Sequence, residues 1–228
     1  MRKVIIATPA HDGRCDAEYT YALAETIRLG TQTGYDIRIL ILPGEALIQK
    51  ARSELVMDAL QYGFDDLIFI DSDQSWKPEW VLRLLHHPVD CVGGAVRKKS
   101  DEEAYNVRVA GAKIQMDQTL KLLIVDGLGT GFLRLSKAAL QALWDRSEPY
   151  MDDYGKACRL VFEVRVDNGR LVSEDIGMAS KLAAAGIKIY LDPVITCDHI
   201  GRKKYSGNFL RYLRALNDDK TGAHHETN

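Results

Sequence analysis

The residues that most clearly suggest chemistry are two carboxylates that follow an apolar run. In the stretch "DDLIFIDSDQSW" (65–76), the residues Leu67–Ile70 are followed at once by Asp71 and Asp73. Carboxylate oxygens are ligands that Mg²⁺ and Mn²⁺ prefer, and Mg²⁺ is often held by one or two carboxylates together with substrate phosphates. The D-x-D spacing therefore indicates a divalent-cation site; a solvated turn or a cap of the helix that begins near Pro78 is the alternative.

The D-x-D has two possible geometries. If the strand continues, the two carboxylates share one face, because strand side chains alternate. If the chain turns there, one carboxylate can bind a cation while the other binds a ribose hydroxyl. Either arrangement suits a nucleoside diphosphate.

Two further groups of residues could take part in the same chemistry. Glu174 and Asp175 open a helix after a hairpin. The helix dipole alone favours carboxylates at that point, but such a carboxylate can also act as a general base. His199 ends an apolar run and precedes the basic residues 202–204, which suit a diphosphate. A purely structural histidine is the alternative.

The first half of the chain alternates strands and helices that would position these groups. Apolar runs at 3–7, 36–42, 66–70 and 90–96 predict four strands, separated by helices near 16–30, 46–62 and 78–87. This alternation predicts an α/β fold with a parallel, doubly wound sheet. Ligands on such sheets bind beyond the carboxyl ends of the strands, which is where Asp71 and Asp73 lie.

The second half predicts a small antiparallel portion. Segments 104–111 and 121–127 are expected to be short antiparallel strands, and the glycine-rich stretch 127–136 leads into another. Ser136 is expected to cap a helix, and Asn168-Gly169 indicates a hairpin turn. A helix near 175–185 and two strands within 187–201 complete the pattern. We expect one domain over 1–216, with a nucleotide-binding half (1–100), an acceptor half (101–216) and a flexible tail (217–228).

Composition limits the possible partners and location. The chain has 228 residues with 30 Lys+Arg, 32 Asp+Glu and a net charge of −2, so it lacks the basic field of a general nucleic-acid binder. No apolar run approaches the roughly 20 residues that cross a bilayer. The four cysteines form no C-x-x-C pair, which favours a cytoplasmic protein with buried thiols at Cys91 and Cys197. The sequence makes no prediction of oligomeric state.

Seven segments, in this order, carry a family resemblance. They are "VIIATPAHDG", "ARSELVMDAL", "LIFIDSDQSW", "VGGAVRKKS", "GTGFLRLSKAAL", "SEDIGMASKLAAAG" and "DHIGRKKYSG", and they span about residues 3–207. Together they resemble the metal-dependent nucleotide-sugar glycosyltransferases of the glycosyltransferase A fold, and in particular their small bacterial and viral members. The resemblance implies a Rossmann-like, mostly parallel sheet flanked by helices, and sugar transfer from a nucleoside-diphosphate sugar to a glycan or other hydroxyl acceptor.

The resemblance also implies roles around the donor. Thr8 and Pro9 would border the nucleotide base and ribose, and Arg52 would sit near the donor; relatives often carry Asn after that arginine, where this chain has Ser53. Gly129 and Gly131 would let the backbone approach the donor sugar.

Metal, charge and acceptor roles follow in the same way. Asp71, Asp73 and His199 would hold Mn²⁺ or Mg²⁺, with Asp73 the more direct ligand. Glu174 and Asp175 match the pair that handles the acceptor, where the aspartate serves as base in inverting members. The lysines expected to contact diphosphate or acceptor are Lys98, Lys203 and Lys204.

Three other functions fit parts of the pattern. Haloacid-dehalogenase-like phosphatases also place D-x-D after an apolar strand, but they want Thr or Val where this chain has Ser75, and their motif usually ends the first strand. Nucleotidyltransferases usually carry a glycine-rich basic loop after the first strand, whereas "TPAHDGRCD" has one glycine and one arginine. A non-catalytic nucleotide-sugar-binding module would not need Asp71, Asp73, Asp175 and His199 together.

Overall fold

A computed structural model describes residues 1–109, 114–152, 154–201 and 203–222. The first half contains β1 (Arg2–Ala10), α1 (Ala17–Gln32), β2 (Tyr35–Pro43), α2 (Ile48–Tyr62), β3 (Asp66–Ile70), β4 (Gln74–Ser75), α3 (Glu79–His86) and β5 (Cys91–Val96). The second half contains β6 (Val107–Arg108), β7 (Gln115–Asp117), β8 (Leu122–Val125), β9 (Gly127–Leu128), β10 (Phe132–Ser136), α4 (Lys137–Asp145), β11 (Pro149–Met151), β12 (Ala157–Arg159), β13 (Arg165–Asp167), β14 (Arg170–Val172), α5 (Glu174–Ala184), β15 (Ile189–Ile200), β16 (Lys204–Tyr205) and α6 (Phe209–Gly222).

The central sheet confirms the predicted mostly parallel α/β class. Its strand order is β2-β1-β3-β10-β5-β15-β8-β7. Strand β1 runs parallel to β2 and β3, and β5 runs parallel to β15, whereas β10 and β8 run antiparallel to their neighbours. The four main strands of the first half are not all neighbours in this sheet. Strand β10 enters between β3 and β5, where its four buried residues 132–135 supply a core strand.

Both faces of the sheet are covered by helices. Adjacent residues of the central strands point to opposite faces, so each strand contributes to two core clusters. Ile5 and Ala7 of β1 belong to one core cluster, to which α2, α4 and α5 also contribute. Val4 and Ile6 belong to the other, with α1 and α3. All four residues are at most 2% exposed. Helices therefore cover both faces, and the carboxyl ends of the parallel strands form the edge where ligands bind on such sheets.

The predicted helix cap and hairpin turn are both found in the structure. Ser136 caps α4 by accepting from the Ala139 N–H at 3.1 Å, and Asn168-Gly169 form the β13–β14 turn with positive φ at both residues, so both predictions are confirmed. Segments 104–111 and 121–127 meet antiparallel at one point, where Arg108 of β6 pairs with Gly127 of β9, whereas β8 pairs with β7 and β15. Residues 110 and 111 of the first segment lie outside the described residues.

The last two elements also differ from expectation. Residues 189–200 form one strand with an irregularity between Leu191 and Thr196, not two strands. Helix α6 continues to Gly222, so the tail predicted from 217 begins inside a helix, and residues 223–228 are not described. All four cysteines are free thiols, and Cys91 and Cys197 are buried as predicted. No helix in the described part of the chain is both long and apolar enough to span a bilayer.

A buried carboxylate ties three strands together at the end of the sheet away from the D-x-D. Asp66 at the start of β3 is fully buried and accepts from Arg2 Nε at 2.6 Å and from Arg134 Nε at 2.6 Å. Arg134 is brought there by the inserted strand β10 and is 4% exposed. The ion pair therefore helps to fix the position of β10 next to β3.

Replacing Asp66→Asn is expected to lower the free energy of unfolding by about 3–5 kcal/mol, because Arg134 would stay buried without its counter-charge. Urea denaturation of the purified variant measures this loss. Asp58→Asn is the control: it removes a surface pair with Lys156 (2.7 Å) and should cost less than about 1 kcal/mol. Equal losses in the two variants would contradict the assigned role of Asp66.

Asp192 should make stability depend on pH. Burial raises the pKa of this carboxyl group, but hydrogen bonds from His87 (2.8 Å), from Arg83 and from the Val194 N–H outweigh burial, so the pKa is lowered. A lowered pKa stabilises the fold fully above the ordinary value of about 3.9, and this contribution is lost as pH falls through the folded-state pKa.

The stability difference between the wild type and Asp192→Asn is therefore expected to be largest near neutral pH and to shrink below about pH 4. Urea denaturation at several pH values between 3 and 7 measures it. Asp145→Asn, on an exposed position of α4, should show a small difference throughout. A gap for Asp192→Asn that stayed constant down to pH 3 would refute the assignment.

Candidate functional site

The D-x-D lies in a turn, not on a continuing strand. After the fully buried β3, the Asp71 N–H donates to the Gly131 carbonyl at 3.2 Å, and the Gln74 N–H donates back to the Asp71 carbonyl at 3.1 Å. The chain then forms β4, which pairs with residues 198 and 199 of β15. The turn separates Asp71 from Asp73, so each carboxylate has its own partners.

Asp71 is held by a buried arginine. Arg52 of α2 is 5% exposed, and its Nη2 lies 2.9 and 3.1 Å from the two carboxylate oxygens of Asp71. Its Nη1 donates to Glu174 Oε1 at 2.8 Å. One guanidinium thus joins α2, the end of β3 and the start of α5, and it compensates two carboxylates in a largely buried place.

Asp73 has different partners. Its Oδ1 lies 3.3 Å from His199 Nε2, and its Oδ2 accepts from Lys99 Nζ at 2.5 Å. Burial raises the pKa of Asp73, but the hydrogen bonds to His199 and Lys99 outweigh burial and lower the pKa to about 2. The carboxylate is therefore ionised at neutral pH, which is the form that a cation can bind.

The ring of His199 is oriented by the backbone. Its Nδ1 lies 2.9 Å from the Arg97 carbonyl, which only accepts hydrogen bonds, so Nδ1 is assigned the proton. In the neutral ring, Nε2 then presents a lone pair to a carboxylate oxygen of Asp73. A protonated ring would instead donate from Nε2 to Asp73, and a metal ion in the place of that proton would have the two groups as ligands.

The predicted three-residue metal set is not gathered as one group. Asp71 is bound to Arg52, and nowhere in the described ranges do three or more His, Cys, Asp or Glu side chains come together as a potential metal site. Two protein ligands, Asp73 and His199, are nevertheless compatible with Mg²⁺ or Mn²⁺, because such ions often complete their shell with substrate phosphates and water.

Two cavities flank the start of α5. The first, here called the D-x-D cavity, has a volume of about 230 Å³ and is lined by residues that include Pro9, His11, Glu45, Arg52, Asp71, Asp73 and His199. The second, here called the Asp175 cavity, has a volume of about 250 Å³ and is lined by residues that include Lys98, Asn106, Arg108, Gly129, Ser173 and Asp175. The predicted site residues are thus divided between two separate spaces.

Consecutive residues of α5 serve these two cavities. Glu174 is bound to Arg52, which lines the D-x-D cavity, whereas Asp175 lines the other. Asp175 Oδ1 accepts from the Ser173 hydroxyl and from the Ile176 N–H at 2.8 Å. Within the described residues, Asp175 is paired with no cation, whereas Glu174 is paired with Arg52, so Asp175 is the candidate base of the two.

A larger cavity of about 630 Å³ lies elsewhere, beside Trp80, Asp198 and Lys204. It contains neither of the D-x-D carboxylates nor Asp175. We place the candidate site at the two smaller cavities, because the carboxylates, the histidine and the buried arginine converge there.

The predicted glycines and the residues after β1 differ in how they contact the site. Gly131 must be small, since a Cβ there would lie 2.9 Å from Asp71 Oδ2, and a Cβ at Gly129 would lie 2.7 Å from Asn106 Cβ. Pro9 lines the D-x-D cavity. Thr8 is fully buried and its hydroxyl is bound to Tyr19 at 2.5 Å, so its side chain is not presented to a ligand.

The basic residues are arranged differently from the expectation. Lys98 faces the Asp175 cavity, Lys203 pairs with the exposed Asp101, and Lys204 pairs with Glu18 and Asp198. Arg202 of the same basic run lies outside the described residues. Lys99 was missed from the sequence, although its place in "RKKS" directly after β5 puts it at the same sheet edge as the D-x-D.

The Arg52 bridge should be measurable as an energetic coupling. In a double-mutant cycle of Arg52→Met and Glu174→Gln, we expect a coupling free energy of about 1–3 kcal/mol, because each substitution removes one side of a charge pair in a largely buried place. Urea denaturation of the wild type, both single variants and the double variant gives the value.

The exposed Arg28–Glu25 pair of α1 (2.8 Å) is the matched control, and its coupling should be indistinguishable from zero. An equally weak coupling between Arg52 and Glu174 would show that the bridge does not hold the site together.

Comparisons with known proteins were made by sequence and by structure. No protein-family model matches the chain, and no curated protein matches it significantly in sequence. Among solved structures, it is similar to a glycosyltransferase involved in the glycosylation of the major capsid of PBCV-1, with 13% identity, coverage of 62% of this chain and 63% of that chain, and a TM-score of 0.36.

Two other solved structures are similar over most of the chain. One is a mutant of Drosophila beta-1,4-galactosyltransferase 7 in complex with manganese, UDP-Gal and xylobiose (13% identity, 91% of this chain, 76% of that chain, TM-score 0.49). The other is the inositol-1-phosphate CTP transferase from T. maritima (8% identity, 88% and 89%, TM-score 0.44). The chain spans less than two thirds of the PBCV-1 protein, and at TM-scores below 0.5 we draw no functional conclusion from these likenesses.

Proposed function

We propose that this protein is a glycosyltransferase that moves a sugar from a nucleoside-diphosphate sugar to an acceptor hydroxyl, with Mn²⁺ or Mg²⁺ held at the D-x-D. The observation that carries the proposal is the pair formed by Asp73 Oδ1 and His199 Nε2, 3.3 Å apart beside a cavity at the carboxyl end of β3. The free thiols of all four cysteines are consistent with a cytoplasmic location, which stays a prediction.

The donor would occupy the D-x-D cavity. When bound, the divalent cation would supply positive charge to the diphosphate that leaves the sugar. Asp73 and His199 would hold it, with His199 kept in one orientation by the Arg97 carbonyl. Arg52 keeps Asp71 and Glu174 in place, and Asp71 is then available to ribose or sugar hydroxyls through oxygen lone pairs that Arg52 does not use.

The acceptor would occupy the Asp175 cavity. Asp175 is oriented by its bonds to Ser173 and to the Ile176 N–H, and it would take the proton of the acceptor hydroxyl as the hydroxyl oxygen attacks the sugar. A base placed in this way typically contributes about 10²–10⁴-fold to the rate. Glu174 is bound to Arg52, so the two neighbouring carboxylates have separate tasks.

The geometry disfavours two of the alternatives. A phosphatase of the haloacid-dehalogenase type would use Asp71 as the nucleophile, but both carboxylate oxygens of Asp71 accept from Arg52. A non-catalytic module would have no use for an oriented carboxylate in the second cavity. A nucleotidyltransferase would use the same cation site, and it is separated from the proposal by its substrates, a nucleoside triphosphate and a sugar phosphate.

Nucleotide sugars are expected to stabilise the protein in a metal-dependent way. A thermal-shift panel of UDP-, GDP-, CDP- and TDP-sugars with and without Mn²⁺ should give a rise in Tm for one nucleotide class when Mn²⁺ is present, because binding to the folded state alone shifts the folding equilibrium. Asp73→Ala should abolish the rise.

Asp175→Asn serves as the matched variant. It should keep the thermal shift, because it leaves the donor cavity intact, while it removes transfer to an acceptor. The absence of a shift with every donor, or an equal shift in Asp73→Ala, would overturn the proposed donor site. Stabilisation by nucleoside triphosphates with pyrophosphate release would favour the nucleotidyltransferase instead.

A further inference from the structure

We propose that Lys99 exchanges partners during the reaction cycle: it pairs with Asp73 in the metal-free protein and binds the diphosphate once a cation has taken its place. This inference rests on the proposed function, because it needs a divalent cation at Asp73. It assigns a role to a residue that the sequence motifs did not single out.

Both carboxylate oxygens of Asp73 already face a partner. Lys99 Nζ lies 2.5 Å from Asp73 Oδ2, while Oδ1 faces His199 Nε2 at 3.3 Å. The ammonium therefore supplies positive charge to the carboxylate that the proposed cation would use. Lys99 must release Oδ2, or share it, before this carboxylate can bind a divalent ion with both oxygens.

The backbone around Lys99 is held in place, whereas its side chain is partly exposed. Arg97 is 4% exposed, and its guanidinium donates to the carbonyls of Lys98 at 2.9 Å and Ser100 at 3.0 Å. These bonds fix the backbone on both sides of Lys99. The Lys99 side chain is itself 39% exposed and passes over Gly201, where an added Cβ would lie 3.4 Å from its Cδ. The ammonium can therefore swing while the loop stays in place.

The other basic residues expected to contact the donor have carboxylate partners or face the Asp175 cavity. Arg52 is bound to Asp71 and Glu174. Of the two lysines of the basic run after β15, Lys203 pairs with Asp101 and Lys204 pairs with Glu18 and Asp198. Lys98 faces the Asp175 cavity. Within the described residues, Lys99 is the lysine that contacts the D-x-D. An ammonium displaced from Asp73 would remain beside the cation and would meet the negative charge of a diphosphate there, a charge-assisted contact that lysine commonly makes.

One substitution should then have effects of opposite sign on two ligands. Without the Lys99 ammonium, the cation meets no competitor at Asp73 and binds more tightly. The diphosphate loses a positive partner and binds more weakly. A merely structural lysine, or a general change of surface charge, would not separate the two effects in this way.

Titration with Mn²⁺ alone, followed by the electron paramagnetic resonance signal of the free ion, tests the first effect. Lys99→Met is expected to bind Mn²⁺ about 2- to 5-fold more tightly than the wild type, which corresponds to the removal of a partly exposed ion pair. Lys156→Met is the control: it breaks a similarly exposed Lys–Asp pair far along α2 and makes the same change in net charge. It should leave the Mn²⁺ affinity unchanged.

Nucleotide binding at saturating Mn²⁺ tests the second effect. UDP, GDP, CDP and TDP are each compared with the corresponding monophosphate by calorimetry. For the base that binds, Lys99→Met is expected to weaken diphosphate binding about 10-fold, the usual size for a hydrogen bond to a charged group, and to leave monophosphate binding within about 2-fold. Lys99→Gln should behave like Lys99→Met, which guards against an effect of the methionine itself.

The outcomes separate this inference from the proposed function. If Mn²⁺ binds neither the wild type nor Lys99→Met, the metal site itself is refuted. If Mn²⁺ binds both equally and Asp73→Asn abolishes binding, the metal site stands and the role of Lys99 is refuted. An equal gain in Lys156→Met, or a diphosphate affinity unchanged in Lys99→Met, would also overturn the exchange of partners.

Discussion

The guanidinium of Arg52 is the interaction on which the rest of the site depends. It is 5% exposed and bonds to Asp71 at the end of β3 and to Glu174 at the start of α5. Those two carboxylates could not stay together in a largely buried place without a charge between them. Because Arg52 belongs to α2, this bridge sets the relative positions of a helix from the first half, the central sheet and a helix from the second half.

The inserted strand β10 makes this bridge possible. It lies antiparallel between β3 and β5, and the loop before it brings the Gly131 carbonyl to the Asp71 N–H at 3.2 Å. A side chain at Gly131 would collide with Asp71 Oδ2. In the middle of the same strand, Arg134 pairs with the buried Asp66. Strand β10 is thus tied to β3 beyond its ladder hydrogen bonds, and the D-x-D turn is held against it.

The sequence was sufficient for features that depend on local pattern. The strand–helix alternation of the first half, the position of Asp71 and Asp73 at a strand end, the Ser136 cap and the Asn168-Gly169 turn all follow from periodicity and turn chemistry. The insertion of β10 could not be predicted, because pairing between strands distant in sequence leaves no periodic signal. The same reason hid the Arg52 bridge, and the choice between Lys98 and Lys99 depends on which side of one loop each side chain leaves.

The first turn of α5 is connected to both cavities, because Asp175 lines one of them and Glu174 binds Arg52, which lines the other. Successive helical residues point about 100° apart, so adjacent positions 174 and 175 can look into different compartments. A displacement of this turn would move Asp175 and the bond between Glu174 and Arg52 together. Residues that adjust the seating of α5, such as Gly177 against the Glu163 backbone, would therefore alter both cavities at once without lining either.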